Sequence, residues 1–312
     1  PVTTIVFATD NYLRICGYIR GSMFLNILMS VLSAVLEFLF LGVFKFGIWG
    51  ASLATCLGMI ICAVIAMIPF LRGKALLRFC RPKFHAETIK QVISRGSPNF
   101  LNNIAGRITS ILMNAILVRM GGETAVSVYG VLMYTDGFVQ PLLYGMCDSL
   151  QPAVGYNWGA GKFKRVRSIE KCCFTASGVV SVLSVFIIAI FPEQITMLFV
   201  SDASEEVLKV SVFALRLFSL SYITRWISFA TQSYMLAIEK SLFASIISVS
   251  TALIFPVILI FALWPFELTG IWLNFAGTSL LAAILSLFIL RKQNRDIKKR
   301  ISSETEIAIN SD

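Results

Sequence analysis

Charge is scarce in this sequence. Only 14% of its 312 residues are Asp, Glu, Lys or Arg, against roughly 25% in an average soluble domain. Histidine is almost missing: His85 stands alone, so no histidine-based metal site can be built. The cysteines at 16, 56, 62, 80, 147, 172 and 173 form no CxxC pair. They lie mostly in apolar stretches, where thiols act as small buried hydrophobes. No nucleophile–base pair or dinucleotide fingerprint is present. GYNWGAGK fails as a phosphate loop, because Gly155 and Gly161 enclose five residues and Phe163 stands where Ser or Thr is needed. Nothing here argues for an enzyme, an ATP-driven pump, a bound metal or a cofactor. A basic leader is missing too, since the chain starts with Pro1 in the apolar run PVTTIVFA. The expectation is a helix end whose beginning lies upstream, in an N-terminally truncated copy that does not transport alone.

What is abundant is apolar length. The chain is 57% hydrophobic with a mean hydropathy of +0.79. Windows at 22–44, 48–71, 172–192, 242–265 and 268–290 are nearly free of charge, and about 20 such residues cross a bilayer. Adding 98–119, 124–152 and 207–237, the reading is an all-α polytopic membrane protein with eight complete transmembrane helices plus the end of a ninth. The net charge of +10 sits at span ends rather than in a patch with interleaved aromatics, which argues against nucleic acid. Basic connections (14–20, 72–95, 162–171, 291–300) alternate with acidic or neutral ones (45–47, 121–123, 193–206, 267). The Arg14 side and the C-terminus are therefore expected in the cytoplasm, with the chain multi-pass in the cell (inner) membrane.

The stretch from Tyr12 to GIW at Gly47 resembles that from Tyr234 to GIW at Gly270. Both run the same way, as a parallel repeat would. The implied whole is a twelve-helix bundle of two lobes. Here 1–71 ends the first lobe, 72–95 is a cytoplasmic linker, 96–290 is the six-helix second lobe and 291–312 a disordered tail. HAETIKQVISR in the linker reads as a surface helix with Ile89, Val92 and Ile93 facing the membrane.

Two polar stripes run through this second lobe. Asn99, Asn103, Arg107, Ser110 and Asn114 recur at helical spacing, as do Tyr129, Met133, Asp136, Gln140, Tyr144, Asp148 and Gln151. Such faces belong against protein or water, lining a cavity or simply bonding helix to helix. Arg107 and Asp136 both fall ~15–20 Å deep, and an ion pair between them is expected. Glu37 is a second acid inside a span. A buried carboxylate can hold either a proton or a cation, and a structural hydrogen bond is the alternative. Arg216 and Arg225 are nine residues apart, hence on opposite helix faces. Pro141 is expected to kink the helix beside Asp136.

GSPNFLNN, QPAVGYNWGAGKFKRV and GIWGASLAT together resemble the multidrug and toxic compound extrusion (MATE) transporters, over about Leu13 to Arg291. The resemblance implies a twelve-span, two-lobe antiporter exporting small organic, often cationic, compounds in exchange for protons or sodium. It places Glu37 where many members have Asp, and Arg216 at the start of the family's tenth span. Gln151, Pro152, Gly155, Tyr156, Asn157 and Gly159 match its loop, a hinge to which Pro141 is added. Sodium coupling through helix acids is put in doubt by Gly106, which stands where some members have an acid. The candidate pathway is Glu37, Asn103, Arg107, Asn114, Asp136, Gln140, Tyr144 and Arg216. Expected partners are a small organic substrate and the lipid bilayer, for a monomer. Alternatives are a lipid-linked saccharide flippase, which needs a basic cavity, and a non-transporting receptor or scaffold.

Overall fold

The computed structural model describes residues 2–73, 77, 85–200 and 204–310, without the side chains of 2, 98, 99 and 296–310. Residues 74–76 and 78–84 of the basic linker, Asp202 and the Asn99 side chain thus lie outside the described residues. Every regular element among those described is helical, and seven helices are long and apolar enough to cross a membrane. The chain divides into two units, Pro1–Phe84 and His85–Asp312.

The first unit holds α1 (Val2–Ile15), α2 (Ile19–Val43) and α3 (Gly47–Leu71). Leu13, Leu25, Cys62, Ala66 and Phe70 form its small core. Asp10, buried in α1, accepts hydrogen bonds from Ser22 and from Asn26 Nδ2 (3.0 Å), and pairs with Arg14 at 2.8 Å. This network joins α1 to α2 through a carboxylate whose charge is balanced at once.

In the second unit the longest candidate span covers 60 residues but is two helices, α4 (86–121) and α5 (123–159). Gly122 separates them at φ 57°, ψ −148°, a conformation open essentially to glycine alone. The arms fold back on each other: Ser110 meets the Tyr129 hydroxyl, and Asn102 meets that of Tyr144. Next come α6 (Phe163–Ile190), the short α7 (Pro192–Phe199), α8 (Glu205–Ala237), α9 (Ser241–Ala262) and α10 (Glu267–Asn310).

Helix α8 is the centre, packing on the α4–α5 hairpin, α6, α7, α9 and α10. Its buried positions mix large residues (Phe218, Tyr222) with small ones (Ser211, Ala214, Ser219, Ser228, Ala230). Small residues let backbones approach where lipid supplies no hydrophobic drive between helices. Ser181 of α6 donates to the Tyr222 carbonyl across one such approach.

Prolines are accommodated by outside donors. Pro256 offers no N–H to the Ala252 carbonyl, and α9 is π-helical over Ser250–Ile254 just before it. Thr109 Oγ1 of α4 donates to that carbonyl, and Asn274 Nδ2 of α10 donates to Pro256 O at 2.8 Å. Around Pro141 the backbone stays helical, the one departure inside this stretch being Gly122.

Local structure also changes the repeat. Gly47 and Glu267 each start a helix with positive φ, 62° and 50°. Three residues on, a Cβ on Gly50 would lie 3.2 Å from Phe40 O, and one on Gly270 2.2 Å from Leu263 O. Gly270 therefore corresponds by role to Gly50, not to the Gly47 of the matching GIW. Backbone approach, not the tripeptide, sets the equivalence. Gly270→Ala is expected to cost ~2 kcal/mol or more through overlap with backbone. Gly130→Ala, whose Cβ meets open space, is expected to gain ~0.5–1 kcal/mol of helix propensity. Thermal unfolding of both variants in detergent checks the contrast; equal shifts would refute it.

Three expectations are corrected. The 86–96 segment is no separate surface helix but runs unbroken into α4. Gln151, Pro152, Gly155, Tyr156, Asn157 and Gly159 lie inside α5 rather than in a loop, and the turn falls later, at Gly161 with φ 71°. The tail is helical to Asn310, because 291–310 holds neither Gly nor Pro to stop α10.

Candidate functional site

The second stripe of the sequence lies along α5, and its acid is met from α8. Tyr222, Arg225 and Phe229 recur at three and four residues on α8, so they share one face. Arg225 Nη1 lies 2.9 Å from Asp136 Oδ1, and Nη2 lies 3.3 Å from Oδ2. The Tyr222 hydroxyl donates to the same Oδ1. This is the two-pronged geometry in which guanidinium and carboxylate bind best. The two side chains are only 19% and 11% exposed.

Aromatic rings complete the enclosure. The Arg225 guanidinium carbon sits 5.3 Å from the Phe229 ring centre and 5.7 Å from that of Tyr222, within cation–π range. Tyr144 stacks on Phe229 at 4.5 Å, with Gln140 and Asn102 beside its hydroxyl. A lone charge at this depth in a membrane is costly. Pairing makes the cluster neutral, and both carboxylate oxygens of Asp136 have a partner. Removing either member would leave the other uncompensated.

Beside this cluster, between α4 and α5, is a cleft of about 450 Å³. Ser110 and Asn114 line it from α4, and Tyr129, Gly130, Met133 and Tyr134 from α5. Met133 is one turn before Asp136, and the Tyr129 hydroxyl lies beside Ser110. Tyr134 stacks on Phe199 of α7 at 5.4 Å. Aromatic faces, a soft thioether and a few amide or hydroxyl groups suit a flat, amphiphilic organic molecule. Among the described residues no group of three or more His, Cys, Asp or Glu could hold a metal.

The sequence-predicted residues divide clearly. Asp136, Gln140 and Tyr144 meet at the cluster, and Asn114 lines the cleft. Asn103 is exposed on α4. Arg107 is exposed and does not pair with Asp136, whose partner is Arg225. By helical period Arg107 shares the α4 stripe of Ser110 and Asn114, but the ion pair of Asp136 is made from α8. Arg216 is exposed, on the face of α8 opposite Arg225. Glu37 belongs to the first unit, where Thr55 Oγ1 donates to it at 3.0 Å. Asp148 accepts from Gln151 Nε2 and Ser233 Oγ, both at 3.1 Å. Asn157 is buried and donates to Ala153 O, while Tyr156 is exposed.

The sequence reading missed Tyr222, Arg225 and Phe229 as a unit. An arginine mid-span with aromatics three before and four after was the available signal. It also missed Asp10 and the buried Glu170, which takes a 3.4 Å hydrogen bond from Asn294.

Comparison with known proteins gives a single answer. The MatE family model matches residues 98–262, the stretch holding α4 to α9. Multidrug export protein MepA of Staphylococcus aureus (strain MSSA476) is 25% identical over 300 residues, covering 93% of this chain and 65% of the relative. MepA of Staphylococcus saprophyticus is 24% identical over 298 residues with the same coverage. The chain thus spans about two thirds of the length of these curated relatives, 65%. A crystal structure of MATE in complex with MaL6 superimposes with a TM-score of 0.87 at 19% identity, covering 96% of this chain and 68% of that one. A multidrug resistance MATE family transporter of the MOP superfamily, in its outward-facing conformation, gives 0.82 at 20% identity, covering 89% and 63%.

Proposed function

The chain belongs to the MatE family, and on that premise we propose that it exports small organic, cationic compounds across the cell membrane in exchange for protons or sodium ions. One observation carries this reading: a neutral Asp136–Arg225–Tyr222 cluster directly beside an aromatic, amide-lined cleft. Tyr129 and Tyr134 would hold a flat cation by their ring faces. A proton on Asp136 would leave Arg225 without its counter-charge in apolar surroundings. That favours any arrangement of α5 and α8 in which Arg225 finds another partner, so one proton biases two packings of the same helices. A flippase for lipid-linked saccharides would need a basic cavity; Arg225 is neutralised by Asp136 and Arg216 lies on the opposite face of α8, which leaves Arg107 as the one cation of the three to supply it.

The test is dye efflux from proteoliposomes of the full-length protein, with proton and sodium gradients imposed separately. Flux should follow the proton gradient and be lost in Asp136→Asn while dye binding persists. Flux that follows neither gradient, or an unimpaired Asp136→Asn, refutes the coupling. A protein that binds dye without moving it would support a receptor or scaffold instead.

A further inference from the structure

Helix α6 is basic at one end and apolar beyond it, along a single stripe. Lys164, Arg167 and Lys171 follow one another at three and four residues, and the spacing continues through Phe174, Gly178, Val182 and Phe186. At this period all of them share one helix face. The apolar part of the stripe borders a groove of about 520 Å³, closed on its far side by Trp226 of α8. Gly178 gives the groove its depth: a Cβ there would come within 3.3 Å of the Trp226 ring. Val179, Val182, Leu183 and Phe186 leave its rim open, each about half exposed.

The dimensions are those of one lipid tail. From Phe174 to Phe186 the helix rises ~18 Å, close to one leaflet of a ~30 Å hydrocarbon core. The groove begins where the basic residues end. A chain lying in it would therefore place its headgroup beside Lys171, Arg167 and Lys164. Among the described residues none of these three makes a salt bridge. Arg167 and Lys171 also face the buried Glu170, while Lys164 stands nearly two turns from it. A zwitterionic headgroup gains little from such a stripe, and a net anionic one gains attraction at each charge.

We propose that this groove binds one acyl chain of an anionic phospholipid, with its phosphate held by the α6 stripe of Lys164, Arg167 and Lys171. The site lies on the α6–α8 face, distinct from the α4–α5 cleft. Because α8 carries Arg225 one residue before Trp226, a lipid there would press on the helix that holds the Asp136 pair.

Trp226 is the probe. The purified full-length protein is placed in vesicles of phosphatidylcholine containing either brominated phosphatidylglycerol or an equal amount of brominated phosphatidylcholine. Quenching due to Trp226 is the difference between wild type and Trp226→Phe. The brominated anionic lipid should be preferred by about fivefold or more, the factor one charge contact at a lipid surface supplies. Lys164→Gln should reduce that preference, and Arg167→Gln with Lys171→Gln should remove it. Gly178→Leu should lower quenching by both lipids. Lys164→Gln keeps the test valid if the Glu170 neighbours prove necessary for folding. Equal quenching by both lipids means ordinary boundary lipid and overturns the proposal. No quenching by either means that polypeptide covers the groove, which overturns it too.

Discussion

Arg225→Leu should nearly abolish transport and lower stability by ~3–5 kcal/mol, the usual cost of stranding one member of a buried ion pair. Asp136 would keep the Tyr222 hydroxyl but lose both guanidinium contacts. Exchanging the charges, Asp136→Arg with Arg225→Asp, should recover folded yield beyond either single change, since the two side chains approach to 2.9 Å. The corresponding exchange with Arg107 should recover nothing. The measurements are detergent thermal unfolding and dye flux, arranged as a double-mutant cycle so that the coupling is isolated from the separate effects. A well-folded, active Arg225→Leu protein would show that the pair is dispensable. Rescue through Arg107 would show that Asp136 faces α4 instead.

The second large effect belongs to the cleft. Gly130→Phe places a ring into the space between α4 and α5 without disturbing the backbone, since a Cβ at Gly130 meets nothing within 4 Å. Binding of an aromatic organic cation, followed by dye anisotropy on the purified protein, should weaken at least ~10-fold, equivalent to about 1.4 kcal/mol. Unfolding temperature should not fall, because glycine is the poorer helix former. Unchanged affinity in the folded variant would place the substrate elsewhere. The two experiments separate two proposed roles: Arg225→Leu tests the cluster proposed to move, Gly130→Phe the surface proposed to bind.

Asp136 was recognisable in the chain because a charged residue deep in an apolar helix is conspicuous and the stripe around it keeps helical period. Its partner was not. Arg107 and Arg225 both lie mid-span, and depth follows from counting residues whereas direction depends on which helices are neighbours. The nine-residue separation of Arg216 and Arg225 did establish that they point apart; it did not say which points inward. The glycines near 155–161 were legible as a turn, yet the helix continues to Gly159 and only Gly161 takes the positive φ that ends it. The matching GIW sequences misaligned the repeat by three residues for a related reason: letters repeat by composition, while a close carbonyl and a positive φ repeat by geometry.

By itself the sequence determined the apolar spans, their breaks at Gly122 and between other helices, and the polar faces within them. Those follow from the cost of placing each residue in hydrocarbon and from backbone bonds made within one helix, both local quantities. Tertiary structure alone decided that Asp136 meets Arg225 and Tyr222, that Thr109 completes the helix at Pro256, and that Gly178 and Trp226 open a groove. Each of these joins residues far apart in the chain, and only the packing of α8 against its neighbours selects which distant side chain faces which.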